Sequence, residues 1–325
     1  MAYTILTFDS TGACTNQGVL SSILTVRPSF RDVFVFSHGW WTTADAARDE
    51  YMRFSAGVTD FLRTPRAELP NAPQEDQILA LGIHWPSMVS DHPGVFANIF
   101  EAFSYADMRQ LAERVATVGI APLLERVWQL ASADSKLRIH LLGHSMGCRV
   151  ASLGLETALR IATRPGAVPS WATVGPNIEE LDVVLFEGAI DNNTLEVSGA
   201  YGALSAIPDL RVLVTRSDLD LVLKDYPPDN PADKAMGATG PTPATFTDPT
   251  SQFANQLSQV HIRSGSTYAV SAGVPQRFIM ADLTQLHQAH GPGPNGEWSG
   301  LSGHHSDIYC EEIYELVCGF LFGQR

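Results

Sequence analysis

Apolar runs alternate with segments of helical period along almost the whole chain. Tyr3 to Phe8 reads as a first strand. Asp32 to Phe36 (DVFVF) is uniformly apolar after its first residue, as a strand buried on both faces should be. Ala44 to Leu62 follows with helical spacing, entered through Thr42-Thr43. Gln77 to Ile83 is the next strand. Met108 to Ala133 places Leu111, Val115, Ile120, Leu124 and Val127 at helical intervals, predicting one long helix. Leu137 to Leu142 is again strand-like, and helical period then runs to Ala162. Leu181 to Glu187, Leu210 to Thr215 and Phe278 to Asp282 are three further strands. Asp307 to Phe322 closes the chain as a helix that buries Tyr309, Ile313, Leu316, Val317 and Phe320. This alternation predicts an α/β fold: a mostly parallel central sheet flanked by helices.

One stretch breaks the rhythm. Lys224 to Arg277 opens rich in Pro, Gly, Thr and Asp without a clear period. It is expected to be a long loop insertion, either covering a site or running over the surface, within a single domain spanning residues 1–325. His290 to Gly303 reads as a second loop. No repeat is present, and no large cap follows Leu181 to Glu187.

Composition narrows the classes. The chain has 325 residues, 45% of them hydrophobic, and a formal net charge of −14. Such an acidic chain is a poor partner for nucleic acid or anionic membrane surfaces. No stretch approaches the roughly 20 apolar residues of a membrane span. No basic, then apolar, leader precedes the first strand, so a cytoplasmic location is expected. Cys14, Cys148, Cys310 and Cys318 have no metal or redox spacing, and Cys148 is expected to be a buried free thiol.

The chemistry-bearing signal is Gly143-His144-Ser145-Met146-Gly147, between a strand and a helical stretch. Strand, Gly-x-Ser-x-Gly, helix is the order of the nucleophile elbow of the α/β-hydrolase fold. The sharp turn lifts the serine Oγ clear of the backbone, and the helix N-terminus beneath favours developing negative charge. Ser145 is therefore the expected nucleophile. A serine needs a base, and the base a carboxylate to fix its tautomer. On this fold the chain order is Ser, acid, His, so both partners are sought just after later strands. Asp220 is the preferred acid, with Asp218 its rival and Asp191 a third candidate. His305 is the preferred base over His304, with His287 and His290 assigned to a loop. The four histidines could be read as a metal cluster, but they lack an accompanying acidic or cysteine ligand pattern. For the oxyanion hole the backbone amides of Met146 and Trp40 are expected, Trp40 lying in the loop Ser37-His38-Gly39-Trp40-Trp41. Trp41, Trp85 and His144 are candidate substrate-binding residues.

Taken together, Phe36-Ser37-His38-Gly39-Trp40, His84-Trp85-Pro86-Ser87, His144-Ser145-Met146-Gly147, Ser217 to Leu223 and His305-Ser306-Asp307 resemble a bacterial α/β-hydrolase serine esterase family, formerly a domain of unknown function. The likeness is best over residues 30–225, returns near 305 and is poor over 230–300. It implies Ser145 as nucleophile, Asp220 as acid and His305 as base. The chain departs from that family at Trp40-Trp41 and at Ile83-His84, so substrate preference does not transfer. The expected activity is carboxylester hydrolysis on short to medium acyl chains, with a small-molecule ester as substrate and no metal or organic cofactor. A lipase, thioesterase or acyltransferase on the same triad is the alternative, and a non-catalytic binding scaffold a more distant one.

Overall fold

The structure is a computed structural model that describes residues 2–25, 30–88, 97–133, 135–163, 175, 177–228, 232–265, 277–291 and 304–323. Eight strands form one sheet: β1 (Ala2–Thr7), β2 (Asp32–Ser37), β3 (Ile78–His84), β4 (Leu137–His144), β5 (Ile178–Phe186), β6 (Arg211–Arg216), β7 (Leu257–His261) and β8 (Phe278–Asp282). Their order is β1-β3-β2-β4-β5-β6-β8-β7, and every neighbouring pair is parallel. All strand carboxyl ends therefore share one edge, where reactive groups of open α/β sheets collect. With the elbow following a central strand, this is an α/β-hydrolase fold.

Strand alternation divides the core. Val33, Val35, Ile139, Leu141, Val183 and Leu185 point to one face. There they meet α1 (Gln17–Thr25), α3 (Ala97–Arg114), α4 (Ala121–Trp128) and α5 (Gly147–Ala162). Phe34, Phe36, Leu142, Val184, Phe186 and Leu213 point to the other, against α2 (Ala44–Arg63) and α10 (Glu311–Phe322). Four short α-helices are also seen among the described residues: α6 (Leu221–Lys224), α7 (Met236–Thr239), α8 (Ala244–Thr247) and α9 (Thr284–His290). Thr43 caps α2, its side chain accepting from the Ala46 amide.

Four sequence expectations change. The helix expected over 108–133 starts earlier and is broken by a π turn, Val115–Ile120. That turn carries Val115, Thr117, Val118 and Gly119, all weak helix formers. The closing helix starts at Glu311 rather than Asp307. His287 and His290 lie on α9 and not in a loop. The stretch 224–277 holds α7, α8 and β7. β7 escaped detection because an edge strand is only half covered, and Leu257–His261 lacks an apolar run. α7 also sews two strand tips together: the Gly237 amide donates to Gly188 O, and the Ser217 amide to Gly237 O, at 3.0 and 2.9 Å. Of the loop expected over His290 to Gly303, residues 292–303 lie outside the described residues.

Candidate active site

The elbow is built as its sequence demands. Ser145 sits at φ 53°, left-handed backbone that a residue with a side chain adopts only under constraint. Such strain costs on the order of 1–3 kcal/mol, borne by surrounding structure. Here the Ser145 amide donates to Phe186 O at 3.0 Å, and the Ala189 amide donates to Ser145 O at 3.1 Å. The elbow is thus pinned to the end of β5. Gly147 permits it: a Cβ there would lie 2.1 Å from Ser37 O. Gly39 is equally confined, since its Cβ would stand 2.8 Å from Ser145 Cβ and 3.4 Å from Ser145 Oγ. The loop after β2 therefore runs directly against the serine.

That loop is fixed by a chain of hydrogen bonds. His38 Nδ1–H donates to Gly39 O at 2.7 Å, which leaves Nε2 as an acceptor for the Trp85 amide at 3.3 Å and for His84 Nδ1–H at 3.2 Å. Burial holds the His38 ring neutral, lowering its pKa to about 3. Tyr51 Oη accepts from the His38 amide at 2.9 Å. The Trp41 amide, at φ 66°, donates to Ser87 O. Neither the Trp40 nor the Met146 amide enters a backbone hydrogen bond among the described residues.

Across the serine, two strand ends bring an acid and an imidazole together. Asp220 follows β6, is fully buried, and caps α6 by accepting from the Leu223 amide at 3.0 Å. Its other oxygen meets His305 Nδ1 at 2.6 Å. His144, next to Ser145 in the chain, donates from Nε2 to His305 O at 2.6 Å, and the two rings lie 5.0 Å apart. Burial and the neighbouring His305 lower the His144 pKa to about 3. The His305 backbone is thereby tied to the residue preceding Ser145, and its Nδ1 is occupied by the Asp220 carboxylate.

The rivals are otherwise engaged. Asp218 is exposed and pairs with Arg216 at 2.9 Å. Asp191 forms a β-bridge with Ala235. His304 bonds Asp307 through Nδ1 and stacks on His287, whose Nδ1 meets Ser217 Oγ at 2.9 Å. These histidines do not converge as a metal cluster. The described group whose donor atoms approach within 4.8 Å is instead His144, Glu187 and His305, with both imidazoles already hydrogen-bonded.

Two of the three candidate substrate-binding residues are buried. Trp85 is fully buried, stacked on His38 at 5.4 Å, and buttresses the loop after β2. His144 is buried behind His305 and positions it. Trp41 remains at the rim, 39% exposed, edge-on to Trp40. Cys148 is buried and free, its Sγ 3.1 Å from Gly143 O. The sequence reading missed Glu187, a fully buried carboxyl at the tip of β5. The rule that found Asp220, a carboxyl just past a strand end, would have found it too.

No protein-family model matches the sequence, and no curated protein does. Among solved structures the chain is similar to LpqC, a poly(3-hydroxybutyrate) depolymerase from Bordetella parapertussis. The identity is 11% and the TM-score 0.32, over 80% of this chain and 76% of that one.

Proposed function

We propose that the chain is a serine carboxylesterase of short to medium acyl esters, of the kind its motifs resemble. The observation that carries this reading is the 2.6 Å bond between His305 Nδ1 and Asp220, set beside a serine at φ 53°. Asp220 holds His305 in the tautomer whose Nε2 accepts a proton, and it stabilises the imidazolium that forms. Ser145 Oγ attacks the ester carbonyl as His305 takes its proton. The oxyanion is held by the Trp40 and Met146 amides, each donor lowering the barrier by about 3 kcal/mol. His305 then protonates the departing alcohol. Water attacks the acyl-enzyme, gives a proton to His305 and its hydroxyl to the acyl carbon. The acid leaves as His305 returns the proton to Ser145.

The test is intact mass after treatment with a fluorophosphonate, followed by a panel of p-nitrophenyl esters of rising acyl length. A single adduct on the wild type that is absent in Ser145→Ala supports the reading. Hydrolysis should fall by about 10⁶-fold in that variant. A folded wild type without an adduct and without ester turnover overturns it.

A further inference from the structure

At the tip of β5, against the elbow, stands a carboxyl that this mechanism does not use. Glu187 is fully buried and its backbone is left-handed, at φ 43°. Its amide donates to Thr215 Oγ1 at 3.0 Å. Neither carboxyl oxygen has a hydrogen-bond partner among the described residues. Titratable groups surround it on several elements, while α7 packs on it through Gly237. They are His144 at the end of β4, Cys148 in α5, Asp220 after β6, His287 in α9, and His305 and Asp307 ahead of α10. His287 Nδ1 lies 3.8 Å from its Oε1, and donor atoms of Glu187, His144 and His305 lie within 4.8 Å of one another.

Burial holds His144 and His287 neutral, so neither supplies a counter-charge. An ionised carboxylate buried without donors, next to Asp220, is strongly disfavoured. Burial first, then Asp220 and Asp307, push the Glu187 carboxyl well above the usual carboxylate range. The pocket therefore places two carboxyls near one imidazole, and burial favours the proton on Glu187. In such a coupled pair, removing the charge from one member eases ionisation of the other.

Resting on the triad reading above, we infer that Glu187 is a positioning residue, a second carboxyl near His305 that serves as the imidazole's partner when Asp220 is lost. While Asp220 is present, the proton on Glu187 confines the negative charge to the carboxylate that touches Nδ1. Without Asp220, Glu187 ionises and steadies the imidazolium.

The experiment compares Asp220→Ser, Glu187→Gln and the double variant in the full chain. Serine retains a cap for α6 and glutamine retains the shape of a neutral carboxyl. The readouts are kcat/KM on a p-nitrophenyl ester and the rate of fluorophosphonate labelling, across neutral and alkaline pH. Asp220→Ser is expected to lose roughly 10²-fold, and adding Glu187→Gln to extend the loss to about 10⁴-fold. Glu187→Gln should cost far less in the wild-type background than in the serine background. Activity of Asp220→Ser should rise with pH to a higher midpoint than the wild type, because it depends on ionising Glu187, and the double variant should lose that rise. Equal rates and equal pH profiles for Asp220→Ser and the double variant overturn the inference. If Asp220→Ser fails to fold, Asp220→Thr, also a capping residue, gives the same comparison. A wild type that neither labels nor turns over ester sinks the triad reading instead, a separately visible failure.

Discussion

The same sheet carries a histidine among carboxylates at each end, and the two do opposite things. At the carboxyl ends of the strands, His305 gives Nδ1 to Asp220 and its carbonyl to His144, the neighbour of a serine held at φ 53°. Toward the amino ends, His140 gives Nδ1 to Asp182 at 2.8 Å and Nε2 to Asp32 at 2.9 Å. Arg138 closes on Asp32 at 2.6 Å and Arg211 on Asp182 at 2.7 Å, with Glu180 3.6 Å from Arg211. Three carboxylates thus face two guanidiniums, and His140 as an imidazolium completes the balance. Burial opposes its charge, but the bonds to Asp182 and Asp32 outweigh that and raise its pKa. Burial likewise opposes the Asp182 charge, but Arg211 and His140 bring its pKa down to about 2. The register makes this network, since Asp32 pairs with Arg138, His140 with Asp182, and Asp182 with Arg211 across adjacent strands. Arg211 also donates to Phe320 O and Leu321 O, capping the last turn of α10. Residue type alone does not separate the two roles. In the proposed reading what separates them is whether one imidazole nitrogen serves proton transfer or both are bound to carboxylates.

The sharpest break of this contrast is at the reactive end. His305→Ala should lower kcat/KM by about 10⁴-fold or more, with only a small change in the unfolding midpoint. An activity loss under tenfold in a folded protein would mean that His305 is not the base. At the other end the effect should fall on stability. His140→Leu removes one member of a buried ion network and should destabilise the fold by about 3–5 kcal/mol, while the folded fraction hydrolyses ester at the wild-type rate. Its pH dependence has a definite sign. A pKa raised in the folded state gives stability that is complete below the ordinary histidine value of about 6.5 and fades as pH rises through the folded value. The gap in denaturation free energy between wild type and His140→Leu should therefore narrow toward alkaline pH, and a gap that widens there would contradict an imidazolium. The smallest effect belongs to Asp218→Asn, two residues from the proposed acid. Its exposed pair with Arg216 is worth about 0–1 kcal/mol, so both kcat/KM and unfolding should stay near wild type, and a large loss would reopen the choice of acid.

Much of this was legible in the chain. Uniform apolar runs such as DVFVF and LDVVLF place strands without ambiguity, because a doubly covered parallel strand must be apolar on both faces. The elbow announces itself because glycines must flank a serine turned that sharply. Other features left weaker traces. α1 and the edge strand β7 lack long periodic patterns, and the π turn replaces one hydrogen-bond offset with another without altering the apolar spacing. His144 and Trp85 look like pocket residues beside strand ends, yet their side chains turn inward to brace His305 and His38.

The sequence by itself determined the alternation of strands and helices, the elbow at Ser145, and the neighbourhoods in which its partners were to be sought. Only the tertiary structure decided between His304 and His305 as the imidazole facing Asp220, set Glu187 near that pair, and assembled Asp32, Arg138, His140, Asp182 and Arg211 into one network. The reason is physical. Periodicity and turn chemistry act over a few residues and are written locally. Pairing an imidazole with a carboxylate 85 positions away depends on strand order and register, which the apolar pattern constrains only through the packed fold.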